Sequence, residues 1–171
     1  NTFVGTDAGL ANTEGEQNVL VGAGGGEAIT TGSQNTALGM YALAGNTTAD
    51  GNVAIGRRAL YTNSTGATNV AVGKNALYAN TTATSNVGVG LSAGLHVTSG
   101  GDNVLIGVAA GASANGITTG TQNTCVGTNT STSAADGNYQ IILGANVTGQ
   151  ANYHFVFGNG GSHRVYNAFS S

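Results

Sequence analysis

A five-letter phrase that returns every 17 residues is the strongest constraint on this chain. It reads Asn, then Thr or Val, then a small or apolar residue, then a branched apolar residue, then Gly, and it opens at Asn1, Asn18, Asn35, Asn52, Asn69, Asn86 and Asn103. It opens again at Asn123, and in altered form at Gln140 ("QIILG") and His154 ("HFVFG"), so the last three intervals are 20, 17 and 14 residues. The long interval has a visible cause. "ITTGSQNT" at 29–36 returns as "ITTGTQNT" at 117–124, which places three extra residues between Ala110 and Ile117. A fixed period of this size means stacked supersecondary units, each burying its apolar side against its neighbours.

The aligned columns decide between strand and helix. One residue after the Asn stand Thr2, Val19, Thr36, Val53, Val70, Val87, Val104 and Thr124; three residues after it stand Val4, Val21, Leu38, Ile55, Val72, Val89, Ile106 and Val126. Both columns are β-branched or nearly so and lie two apart, the strand period, so they share one face. The column between them, Phe3, Leu20, Ala37, Ala54, Ala71, Gly88, Leu105 and Cys125, is apolar and often small, so the opposite face is covered as well. Burial on both faces is typical of parallel strands. This reading gives one face to the core of a coil and the other to a second copy of the chain, with Ala37, Ala54, Ala71 and Gly88 as the candidate subunit seam.

The remaining columns mark corners. Glycine closes every phrase, at Gly5, Gly22, Gly39, Gly56, Gly73, Gly90, Gly107, Gly127 and Gly144 and again at Gly158, as a repeated positive φ or a close backbone approach requires. The asparagines Asn1, Asn18, Asn35, Asn52, Asn69, Asn86, Asn103 and Asn123 are placed to stack their amides into a ladder. Ala8, Ala42, Ala59, Ala76, Ala93 and Ala110 form a second column of small residues suited to a thin coil, and Thr13, Thr30, Thr47, Ser64, Thr81 and Thr98 a hydroxyl column in the following turn. The predicted fold is all-β: a parallel β-solenoid of about ten turns over residues 1–158, followed by an exit segment, 159–171, toward a further module. At about 4.8 Å per turn such a coil is roughly 45–50 Å long.

Composition narrows the functional classes. Charged residues make up 6% of the chain, and the net charge of −3 with only four Lys and Arg speaks against a nucleic-acid grip or an anionic membrane surface. No run of 18 apolar residues and no basic segment ahead of an apolar one appears, so no membrane insertion is expected. Asn1 already stands inside a repeat, and the chain reads as cut from a longer one. High Gly, Ser, Thr and Asn content suits disorder, but disordered segments do not hold a branched apolar residue in register through ten phrases. The single Cys125 forms no intrachain disulfide and reads as packing. A coil this thin buries little apolar surface for each residue it orders, so association with copies of itself under cyclic symmetry is expected.

Chemistry finds little footing. The glycine run "GAGGGEAITTGS" at 22–33 lacks the Lys-Ser/Thr ending of a phosphate loop, and the four aspartates do not recur as Ca²⁺ nonapeptide repeats demand. Glu14, Glu16 and Asp50 come closest to paired carboxylates and read as solvated turn residues. His96, His154 and His163 have no ligand spacing. Arg57 and Lys74 share a column and read as solvated; Tyr61 and Tyr78 share another, as a candidate glycan contact or a packing edge. No catalytic, cofactor-binding or metal-ligating residue is assigned, no cofactor is expected, and the chain is not read as an enzyme.

The phrases "NVAIG", "NVAVG" and "NTALG", followed by "RRAL", "KNAL" and "MYAL", resemble the head repeats of YadA-like trimeric autotransporter adhesins. They are still more similar to the related repeats of bacteriophage tail fibres, in which "NTAxGxxALxxNTTG" units recur. The resemblance covers residues 1–158. It implies a left-handed parallel β-roll, three chains wound about one axis, and an extracellular fibre on a virion or a bacterial surface. The implied partners are the chain itself, as a homotrimer, and a host cell-surface glycan or protein. The 17-residue interval favours the tail fibre over the alternative, the head of a bacterial adhesin. A glycan-degrading tailspike is disfavoured by the scarcity of carboxylates. An ice-binding solenoid is disfavoured because Thr31, Thr48, Thr65 and Thr82 lie one residue, not two, from the first hydroxyl column.

Overall fold

A computed structural model describes residues 1–113, 116–160 and 162–167, the last group as backbone. Its strands are β1 (Thr2–Val4), β2 (Val19–Val21), β3 (Thr36–Leu38), β4 (Val53–Ile55), β5 (Val70–Val72), β6 (Val87–Val89), β7 (Val104–Ile106), β8 (Thr124–Val126), β9 (Ile141–Ala145), β10 (His154–Asn159) and β11 (Ser162–Asn167). They form one sheet in chain order. From β1 to β10 all neighbours are parallel and phrase pairs with phrase, Ala54 with Ala71 and Val72 with Val89 for example. The chain is therefore a β-solenoid. Ten parallel strands enclose nine full turns, one fewer than the phrase count suggested, and span about 43 Å at the usual strand spacing. At the end the direction reverses: β11 pairs antiparallel with β10, His154 opposite Asn167. The remainder of the expected exit segment, Gly161 and residues 168–171, lies outside the described residues.

The three extra residues do not disturb the register, since Val104 still pairs with Thr124. They are looped out after Gly111, whose carbonyl accepts the Ile117 N–H at 2.9 Å. Ala114 and Asn115, in that loop, lie outside the described residues. Away from the sheet, hydrogen bonds still tie each turn to the next. Leu43, Leu60 and Leu77 donate their N–H to the carbonyls of Ala59, Ala76 and Ala93 at 2.9, 3.0 and 2.8 Å.

The core lies within the single coil. Leu20, Ala37, Ala54, Ala71, Leu105, Cys125, Ile142 and Val156 are fully buried, and across from them so are Ala42, Ala59, Ala76 and Ala110 together with Leu43, Leu60 and Leu77. This corrects the seam expected from sequence. Ala37, Ala54, Ala71 and Gly88 are buried by their own chain and are not available to a second copy. In a closed coil a three-residue strand has only its middle side chain on the concave side, and its two outer side chains point away.

The column glycines are required twice over. From Gly5 to Gly144 all nine have φ between 124° and 138°, a region that L side chains rarely occupy. A Cβ on Gly56 would also stand 2.7 Å from both carbonyl atoms of Gly73 on the next turn. Three other corners adopt φ near +55° without glycine, one of them at Leu43, Leu60 and Leu77 with φ of 49–56°. Two residues after the column glycine, Asp7, Tyr41, Arg58, Asn75 and Ser92 have φ of 55–58°; just before the phrase, Gln17, Gln34, Thr68, Ser85 and Asp102 have 58–60°. Each such non-glycine residue costs on the order of 1 kcal/mol. Inter-turn hydrogen bonds hold them, as when the Arg58 N–H donates to the Met40 carbonyl at 3.0 Å and the Asn75 N–H to that of Arg57 at 3.0 Å.

Candidate functional site

The same geometry that buries the middle column turns its two flanking columns outward. Val4 is 56% exposed, Leu38 49%, Val19 43% and Ile106 40%, while Val53, Ile55, Val70, Val72, Val87 and Val89 are half-buried. Met40, Leu91 and Val108, each next to a column glycine, are exposed as well, while Arg57 and Lys74 hold that same position on the turns between them and are exposed too. From β1 to β10 neither flanking column contains a charged residue. A single chain therefore presents an uncharged, largely apolar face along its sheet, interrupted by Thr2, Thr36 and Thr124, of the kind that marks an interaction surface when it is extensive.

The asparagine column is internal. The Oδ1 of each Asn accepts the backbone N–H of its counterpart one turn on, at 2.9 Å from Asn69 to Asn52 and 3.0 Å from Asn86 to Asn69, and the run continues to Gln140, which donates to Asn123 at 3.0 Å. Each Nδ2 donates to a carbonyl of its own turn, as from Asn69 to Ala83 at 2.8 Å. These amides, buried from Asn18 to Asn123, satisfy backbone groups that strand pairing alone would leave over. A second amide ladder, missed from the sequence, runs through Asn46, Asn63 and Asn80, with 3.1 Å between successive amides. The repeated "N(T/S)T" that opens those turns was its signal. The hydroxyl column is also committed: Thr30, Thr47, Ser64 and Thr81 donate to the carbonyls of Thr47, Ser64, Thr81 and Thr98 at 3.0–3.2 Å.

Tyr61 and Tyr78 come together, with ring centroids 5.2 Å apart and planes within 11°. Tyr41 meets Tyr61 edge-on at 6.3 Å, and the Arg58 guanidinium lies over the Tyr61 ring at 5.5 Å. A second stacked pair, Tyr139 with Tyr153 at 4.8 Å, is 46% and 59% exposed. It went unnoticed in the sequence although both residues stand just before an altered phrase.

The carboxylates sit in exposed turns. Asp50 accepts the Ser33 N–H at 2.7 Å, and Glu14 and Glu16 are exposed. His96 is exposed, His154 is half-buried, and the side chain of His163 lies outside the described residues. Among the described residues no group of three His, Cys, Asp or Glu is placed to hold a metal ion. Burial pushes the Cys125 thiol up to about 12, against a smaller lowering by a hydrogen bond to Thr130, which leaves it protonated and unreactive at neutral pH. No family model, no curated protein and no solved structure matches this chain with significance.

Proposed function

We propose that this chain is a structural and host-attachment segment of a trimeric surface fibre, with a bacteriophage tail fibre as the reading its repeat favours over a bacterial adhesin head. The winding is left-handed, three chains lie side by side about one axis, and the fibre is extracellular. The observation that carries the reading is the uncharged, β-branched outer face, from Val4 and Val19 to Ile106 and Ile141, which a lone chain leaves in water. Three copies set with these faces inward would bury it, and cyclic symmetry would make every seam equivalent. The seam is thus assigned to the flanking columns. The amides of the Asn18–Asn123 ladder and the hydroxyls of Thr30, Thr47, Ser64 and Thr81 are committed to bonds within and between turns, consistent with a load-transmitting rod and with no enzymatic role. Light scattering on the purified chain at several concentrations tests this: three times 16.7 kDa is the expected mass, and a stable monomer would overturn the trimer.

A further inference from the structure

We infer that the corner built by Arg57, Arg58, Tyr61, Lys74 and Tyr78 binds an acidic polysaccharide, one that carries carboxylate or sulfate on successive sugars. This rests on the attachment reading above and names the chemistry of what is attached.

The first support is the distribution of charge. The chain has four Lys and Arg, and three of them, Arg57, Arg58 and Lys74, fall on two successive turns. The seven carboxylates (Asp7, Glu14, Glu16, Glu27, Asp50, Asp102 and Asp136) belong to other turns, and among the described residues none pairs with these cations. A protein of net charge −3 thus gathers three of its four Lys and Arg at one corner without a countercharge. Arg57 and Lys74 are exposed and occupy the same position on adjacent turns, so their backbones stand about 4.8 Å apart along the coil axis. Two like charges so placed repel in the free protein, and a linear polyanion lying along the axis would relieve both.

The second support is local preorganisation. Arg58 is held over the Tyr61 ring, which restrains a planar fork suited to a carboxylate or sulfate. Its Nε, and the Asn75 Oδ1 on the next turn, are buried without hydrogen-bond partners. Turning either group toward a ligand would break no existing hydrogen bond, whereas each is costly where it stands. Tyr61 and Tyr78 are half-buried and offer ring edges and hydroxyls beside the cations.

The test is binding of the full chain to polygalacturonate, dextran sulfate, neutral dextran and single-stranded DNA at low salt. The expected result is binding of the two acidic polysaccharides, none of neutral dextran, and a loss of about tenfold or more in the triple variant Arg57→Gln/Arg58→Gln/Lys74→Gln, with unchanged circular dichroism. Salt should weaken the interaction. Absence of binding, an unchanged affinity in the triple variant, or equal affinity for DNA would each overturn the inference. The mass of the same samples separates the two proposals. A trimer that ignores the polysaccharides removes this inference and leaves the fibre, and a monomer that binds them does the reverse.

Discussion

The turns opened by Asn35, Asn52 and Asn69 and those opened by Asn18 and Asn103 share a backbone but fill it differently. In the first group the inward strand residue is Ala (Ala37, Ala54, Ala71), the opposite wall supplies Leu43, Leu60 or Leu77, and the far corner carries Asn46, Asn63 or Asn80. In the second group the strand supplies Leu20 or Leu105, the opposite wall recedes to Gly26 or Gly111, and the far corner is Ile29 or Ile117. The receding position has φ of 49–56° when it is Leu and 56–68° when it is Gly. The fold therefore tolerates bulk from either wall because the frame is set elsewhere, by the glycine column, the amide ladder and the inter-turn hydrogen bonds. The turn opened by Asn86 joins the two arrangements. It carries Gly88 and Gly94, and a Cβ on Gly94 would stand 2.6 Å from Leu77 and 2.7 Å from Leu105. Neighbouring turns fill that space from both sides, as close packing requires.

The largest effect is expected where both kinds of turn depend on the same atom-level fit. Gly56→Ala combines a disfavoured φ of +124° with a Cβ 2.7 Å from the Gly73 carbonyl, and should cost about 3 kcal/mol or more in a denaturant titration. A smaller but more discriminating effect concerns the trade between walls. Ala54→Leu alone should cost about 1–3 kcal/mol by overpacking, and Leu60→Gly alone about 2–5 kcal/mol by leaving a cavity. Together they recreate the Leu105 and Gly111 arrangement, so the double variant should be more stable than the sum of the two by at least about 1 kcal/mol. Strict additivity would show that the two walls do not share one volume. Ala54→Arg, by the same geometry, disrupts the coil itself and not a subunit contact. At the small end, Thr65→Arg changes an exposed turn residue; its unfolding free energy in the same titration should stay within about 0.5 kcal/mol of the parent.

Much of this was legible in the sequence because the chain repeats itself. Parallel pairing of phrase with phrase, the positive φ of the glycines, the stacked amides from Asn18 to Asn123 and the stacking of Tyr61 on Tyr78 all follow from residues that recur at one position. The inward face was not legible from alternation alone. When both faces of a strand are apolar, a period of two separates them without saying which is concave, and Ala54 beside Val53 and Ile55 reads equally well either way. The signal that resolves it lies across the coil: Ala at the strand recurs with Leu60 or Leu77 opposite, and Leu105 with Gly111. The non-glycine corners at Tyr41, Arg58 and Thr68 carried no signal, because inter-turn hydrogen bonds, not local preference, impose their φ.

What the two kinds of turn share is an uncharged outer strand face: Val19 and Val21, Thr36 and Leu38, Val53 and Ile55, and Val104 and Ile106 differ in shape but carry no charge whichever wall fills the core behind them. It is this face that we propose for contact between identical chains. The most direct test of that claim is the solution mass of Val70→Lys/Val72→Lys beside the parent chain. Both residues point outward and half-buried, so the substitution adds charge to the face while leaving Ala71 in the core. The account predicts a parent of three chains and a variant that has lost that mass; a variant that keeps the three-chain mass would contradict it and place the seam elsewhere on the coil.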